Sequence, residues 1–243
     1  MTWNPASVST TRLFVLFALL FVATGYGQES SPVAGVVLDE SGPALAFGRY
    51  LASIQERNAF TESGPIAMEI DASLPGLDKR GSMLAVRQTG ASERSEYSAM
   101  KFDGDSTVKQ QVIARYLAAQ EQAEELPYSS TAVTPANYKF RYAGSLVTDG
   151  SAVYIFQITP KKKRAGLIRG QIWIDSETGI AVRQTGRFVK RPSVLIRRIE
   201  VARDTTLRDG LSYSRVTHIA IDIRLIGRAE LTITESPLLT MDR

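Results

Sequence analysis

The chain has 243 residues, 44% of them hydrophobic and 22% charged, with a formal net charge of +4, the balance of a folded globular protein. It contains no cysteine, which excludes disulfides, thiolate metal centres and a cysteine-linked lipid anchor. It has one histidine, His218, so a histidine-dependent hydrolytic triad or an imidazole-rich zinc site has a single residue to draw on.

The first informative segment is the start. Arg12 precedes an uncharged apolar run, Leu13 to Ala23, and no further charge appears until Glu29. Such a run is too short for a membrane span, which needs about 20 apolar residues. It matches the apolar core of a secretory signal, with the small residues Ala23, Gly25 and Gly27 after it. The reading is a signal peptide over 1–27, a flexible leader over 28–42 and a single domain over 43–243, placed in the periplasm. Charge is unevenly distributed: residues 28–159 carry 11 Lys+Arg against 16 Asp+Glu, and residues 160–243 carry 17 against 9. A basic C-terminal half ordinarily suggests nucleic acid. Export removes that partner and leaves an anionic membrane surface or an acidic envelope protein.

Ser41-Gly42-Pro43 reads as a cap with a helix-compatible proline, opening a helix over 43–60. Its apolar stripe is Phe47, Tyr50, Leu51 and Ile54 with Asn58, extended by Leu45 and Phe60. Alternation at Ile66, Met68 and Ile70 predicts a strand, Pro75-Gly76 a turn, and 82–89 and 94–103 two further strands. A second helix opens where Asp105 or Ser106 can cap, buries Val108, Val112, Ile113, Tyr116 and Leu117, and ends before Pro127. After a polar connection over 127–136, strands follow at 137–147, 151–159, 166–175, 179–190, 193–205, 211–225 and 227–235. Short turns join them: Asp149-Gly150, Ser176 to Gly179, and Asp209-Gly210. Turns this short allow only antiparallel neighbours, and Pro192 marks an edge or a sharp bend. The expected fold is α+β: a single strongly curved antiparallel sheet of about ten strands, a continuous meander forming a half-barrel, with two helices covering the concave side.

Catalytic signals are weak. His218 lies on the strand face opposite Leu211, Tyr213, Thr217, Ile219, Ile221, Ile223 and Leu225, beside Asp222, and reads as an exposed strand histidine with a polar cross-strand neighbour. Asp103-x-Asp105 lacks the further oxygen ligands of a calcium loop and reads as a turn and cap. Gly-rich phosphate loops are absent from the sequence. No catalytic residue, metal or cofactor is assigned.

The segment Gly170-Gln171-Ile172-Trp173-Ile174-Asp175-Ser176-Glu177-Thr178-Gly179, with Ala181-Val182-Arg183 after it, resembles the strand–turn–strand of the LolA-like outer-membrane lipoprotein-sorting superfamily. There Asp175 would bond the turn backbone and Gly179 would take a positive φ. Gly150 to Pro160, Arg191-Pro192-Ser193-Val194 and Gly227-Arg228-Ala229-Glu230-Leu231 are similar to segments of the same group, so the likeness covers roughly 137–235. It implies a half-open barrel with helices as a lid over an apolar cavity, and binding of acyl chains or lipoprotein lipid moieties rather than chemistry. The expected lining is Phe140, Tyr142, Tyr154, Phe156, Trp173, Ile219 and Ile221; the same side chains would also serve as ordinary packing between sheet and helices. An alternative is an envelope sensor or scaffold that docks a protein partner or the anionic membrane surface through the basic tip Lys161, Lys162, Lys163 and Arg164.

Overall fold

The computed structural model describes residues 41–59, 64–89, 95–148, 151–224 and 226–238. The signal segment 1–27, the leader up to residue 40, Phe60, the Asp149-Gly150 turn and Leu225 lie outside the described residues, as does the side chain of Asn58. Ten strands form one antiparallel sheet: β1 (Ile66–Leu74), β2 (Lys79–Thr89), β3 (Ser95–Gly104), β4 (Tyr138–Thr148), β5 (Ser151–Pro160), β6 (Ile168–Asp175), β7 (Ala181–Phe188), β8 (Ile196–Arg208), β9 (Leu211–Ile223) and β10 (Gly227–Pro237). Helix α1 (Ser41–Ala59) precedes the sheet and starts two residues earlier than the sequence suggests. Between β3 and β4 runs a second helical stretch, α2 (Ser106–Val108), a π-helical turn (Lys109–Ile113) and α3 (Ala114–Glu124), followed by a short α4 (Tyr128–Thr131) in the segment expected to be a plain connection. The architecture is α+β, an open half-barrel.

Across the sheet the order is β3-β2-β1-β10-β9-β8-β7-β6-β5-β4. This corrects the expectation of one continuous meander. Strands β1–β3 and β4–β10 are separate meanders, and their seam is the β1–β10 ladder from Ile66↔Pro237 to Ser73↔Glu230. Consecutive strands β3 and β4 therefore sit at opposite edges. Nine steps of about 4.8 Å would separate those edges by about 43 Å in a flat sheet. The α2–α3 run supplies about 28 Å of that at 1.5 Å per residue, so curling shortens what the connection must cross.

The curl has local causes. Gly170 and Gly186 are Cα partners across β6 and β7, and a Cβ on Gly170 would stand 1.9 Å from the Thr185 carbonyl oxygen. The ladder is also interrupted at Leu84/Val86, Tyr142/Gly144, Trp173/Ile174, Ile196/Arg198 and Thr206/Leu207; such bulges bend and twist the strand that carries them. Pro192 lies in the loop between β7 and β8, two inner strands, so it marks a bend rather than an edge. At the β8–β9 hairpin Asp209 and Gly210 both have positive φ, 53° and 74°, as a tight hairpin turn requires.

Side-chain alternation decides which face meets the helices. In β1 Met68, Ile70, Ala72 and Leu74 are buried, while Glu69 and Asp71 are exposed. Register carries that row sideways: Ile70 lies beside Met83 and Ile233, and Leu231 beside Ile219. The α2–α3 run covers this part with Val108, Val112, Ile113, Tyr116 and Ala119. Its π turn places the adjacent Val112 and Ile113 both in the core, while Leu117 is only partly buried. Asp105 caps the run, accepting from the backbone N–H groups of Thr107 (2.7 Å) and Val108 (3.3 Å). On α1 the buried residues are Ala46, Tyr50 and Ile54, with Phe47 and Leu51 packed beside them; Leu45, expected in the stripe, is exposed.

Candidate functional site

The site lies on the face of the sheet that meets the helices. Across the floor, Ile158, Gly170, Gly186 and Val201 are successive register partners on the face toward the helices. A hollow of about 350 Å³ lies between sheet and helices. Its floor comes from Ile168 and Ile172 of β6, Ala181, Gln184 and Phe188 of β7, Val201, Arg203 and Thr205 of β8, and Arg215 of β9. Tyr50 and Ile54 of α1 form one wall, and Gln120, Ala123 and Leu126 form another. The rest of the rim is Tyr128, Thr131, Ala132, Val133, Tyr138 and Gly166.

Hydrogen bonds fix the walls. Tyr50 Oη donates to the Val133 carbonyl at 2.8 Å, and the Ile168 N–H donates to Tyr138 Oη at 3.1 Å. Buried Asn137 donates through Nδ2 to the carbonyls of Ser129 and Ala132, each at 2.9 Å, and accepts from Arg164 Nη2 at 2.7 Å. It therefore ties α4 and the following segment to the start of β4. The turn carrying the family-like motif anchors α1. Asp175 Oδ1 accepts from the Thr178 N–H (2.8 Å), the Thr178 hydroxyl (2.7 Å) and the Glu177 N–H (3.2 Å), and Oδ2 from Ser151 Oγ (2.7 Å). Burial pushes the Asp175 carboxyl up, but the donors from Thr178, Ser151 and Glu177 outweigh it and hold the group below its ordinary value. Gly179 has φ +69°, as expected, and a Cβ there would stand 2.5 Å from Arg49 Cβ, so α1 rests directly on the turn. Arg49 Nη1 donates to the Ser176 carbonyl across the same contact.

One end of the hollow is polar. Arg203 is the register partner of Gln184 on one side and Thr217 on the other, and Arg215 is the partner of Thr205 and Glu235. Glu235 lies 3.0 Å from Arg87 and 3.8 Å from Arg215, so its carboxylate is shared. Burial, then the Arg215 charge, push Arg203 below the ordinary arginine value, and burial pushes the Tyr116 hydroxyl up.

The seven residues expected to line the cavity do not line it. Phe140 and Phe156 pack against Phe47, with ring centroids 4.8 Å and 5.4 Å away. Tyr154 is buried against Gly42, and Tyr142, 45% exposed, stands beside Tyr154 and Phe156. Ile219 and Ile221 are fully buried core. Trp173 alternates with the buried Ile172 and Ile174, so it faces away from the hollow, with the Arg183 guanidinium 5.5 Å over its ring. The aromatic cluster is thus the cement of α1, and the hollow lies beside it. The polar end was missed. Its trace in the sequence is the breaking of alternation: Ile199 and Val201 are followed by Arg203, and Ile221, Ile219 and Thr217 are preceded by Arg215.

Of the basic tip, Lys161, Lys162 and Lys163 line a second, open groove of about 490 Å³, whereas Arg164 is held by Asn137 and lies apart from it. Arg169, Arg187, Arg191, Arg197 and Arg198 complete the basic lining. Arg169 and Arg187 are direct cross-strand partners, an unfavourable like-charge placement. His218 is half-buried rather than exposed as expected, because its strand is flanked on both sides, and its Nδ1 lies 3.0 Å from the hydroxyl of its cross-strand partner Thr232.

No protein-family model matches the chain, and no curated protein matches it. Similar solved structures include a DUF1329 family protein from Desulfovibrio piger, 13% identical over 81% of this chain and 90% of that one, with a TM-score of 0.36. A LolA superfamily protein from Nitrosomonas europaea is 10% identical over 82% and 94%, with a TM-score of 0.34. An outer membrane lipoprotein-sorting protein domain from Vibrio parahaemolyticus is 12% identical over 79% and 92%, with a TM-score of 0.34. The open half-barrel architecture stands on this chain's own strand order and register.

Proposed function

We propose that the protein is an exported, periplasmic, non-catalytic binding protein that holds an acyl chain, free or as the lipid part of a lipoprotein, in the hollow between sheet and helices. The observation that carries this reading is the hollow itself, about 350 Å³ beside a well-packed core. Ligand pockets span about 300–1,000 Å³, so this one suits a single chain; a multi-chain lipid moiety requires α1 and α3 to part. Burying each methylene gains about 0.8 kcal/mol, so twelve buried methylenes gain about 10 kcal/mol before the ordering costs of binding. The test is titration of the purified protein with the neutral apolar fluorophore 1-N-phenylnaphthylamine and its displacement by dodecanol. Ala181→Trp, which fills the floor of the hollow, should weaken binding about tenfold or more while the thermal transition is retained. Binding equal to the wild type in that variant contradicts the reading.

A second reading is favoured by the groove of Lys161, Lys162, Lys163, Arg169, Arg187, Arg191, Arg197 and Arg198. A surface that tolerates the Arg169–Arg187 cross-strand pair suits a polyanionic partner, and the compartment proposed here supplies an anionic membrane face. Carrying and docking are compatible, since the groove and the hollow share only Phe188.

A further inference from the structure

We infer that the occupant of the hollow is an anionic amphiphile, whose carboxylate or phosphate head is held by Arg203 and Arg215. This deepens the carrier reading above and rests on it. Along β8 the floor passes from Val201 to Arg203 to Thr205, and across the sheet Gln184 stands directly beside Arg203. The hollow therefore has an apolar part (Ile54, Ile168, Ile172, Phe188, Val201) and a polar end made of Gln184, Arg203, Thr205 and Arg215. Arg203 and Arg215 lie diagonally on adjacent strands of the same face, where side chains as long as arginine reach one another.

The charge at that end points to an anion. Among the described residues no ion pair or hydrogen bond reaches the Arg203 guanidinium, and its Nε is buried without a hydrogen-bond partner. Glu235 divides its carboxylate between Arg87 and Arg215. Arg203 is half-buried with its Nε sealed from solvent, and the nearby Glu235 that favours its charge is itself engaged by Arg87 and Arg215. A guanidinium placed so gains its partner when a two-oxygen anion enters, because its fork of donors matches carboxylate and phosphate oxygens. Gln184 and the Thr205 hydroxyl add neutral donors at the same end. A cationic head would instead meet two arginines.

The experiment compares three C12 ligands, dodecanoate, dodecyl phosphate and dodecanol, as displacers of 1-N-phenylnaphthylamine from the purified protein and from Arg203→Met and Arg203→Lys. At least one anion is expected to bind about tenfold or more tighter than the alcohol. Preference for dodecanoate assigns a carboxylate head and preference for dodecyl phosphate a phosphate head. Arg203→Met should abolish the preference, read as the ratio of anion to dodecanol affinity within each protein, and Arg203→Lys should keep part of it. Dodecanol binding as tightly as both anions overturns the inference and leaves the carrier reading standing, as does an anion preference that persists in Arg203→Met. Failure of all three ligands to displace the probe overturns both.

Discussion

Asp175 and Gly170 show how single residues shape the site. The Asp175 carboxylate accepts four hydrogen bonds that fasten the turn on which α1 rests. Asp175→Ala should lower stability by about 1.5–3 kcal/mol, the range for hydrogen bonds to a charged group, read from urea midpoints at pH 7. The group is held below its unfolded value of about 3.9, so its contribution is complete above about pH 5 and fades as pH falls toward the native value. The gap between wild type and Asp175→Asn should therefore narrow between pH 5 and pH 3; a constant gap contradicts the assignment. Gly170→Ala should destabilise the fold by about 1–3 kcal/mol, because the new Cβ meets the Thr185 carbonyl; a neutral thermal melt would show that the close approach does not shape the floor. Asp175 and Gly179 were legible in the sequence because turn chemistry is local. Arg203 was not, because a charge in a strand looks the same whether solvent or a helix covers it.

At the scale of elements, alternation and turn residues mark the strands well, since each β4–β10 boundary depends on neighbours a few positions away. Two things escaped that logic. The β1–β10 seam joins residues more than 150 positions apart, and hairpin signals are silent about long-range pairing. The short α4 has no apolar stripe and persists because Asn137 bonds the Ser129 and Ala132 carbonyls around it. Phe140, Phe156 and Tyr154 stand outside the hollow because α1 packs onto these large aromatic side chains, a long-range contact that strand alternation does not reveal. The helical run over β1, β2 and β10 should depend on its π turn. Ile113→Ala, at a fully buried position, is expected to cost about 2–5 kcal/mol with little change in ligand binding, because Ile113 does not line the hollow. Loss of binding with unchanged stability would place the ligand elsewhere.

The whole molecule separates two surfaces, a hollow on the helix side and a basic groove near the tip of β5. Each basic residue near an anionic membrane contributes about 1 kcal/mol. Replacing Lys161, Lys162 and Lys163 with glutamine should therefore weaken sedimentation with vesicles containing phosphatidylglycerol by about a hundredfold or more, and added salt should weaken the wild type in the same direction. Undiminished sedimentation would discard docking through this groove. The most direct measurement of the central proposal is native mass spectrometry of the protein isolated gently from the cell envelope. A single adduct with the mass of an acyl-chain compound, lost in Ala181→Trp, is the predicted result. A bare protein mass that stays bare after incubation with dodecanoate and dodecanol would contradict it.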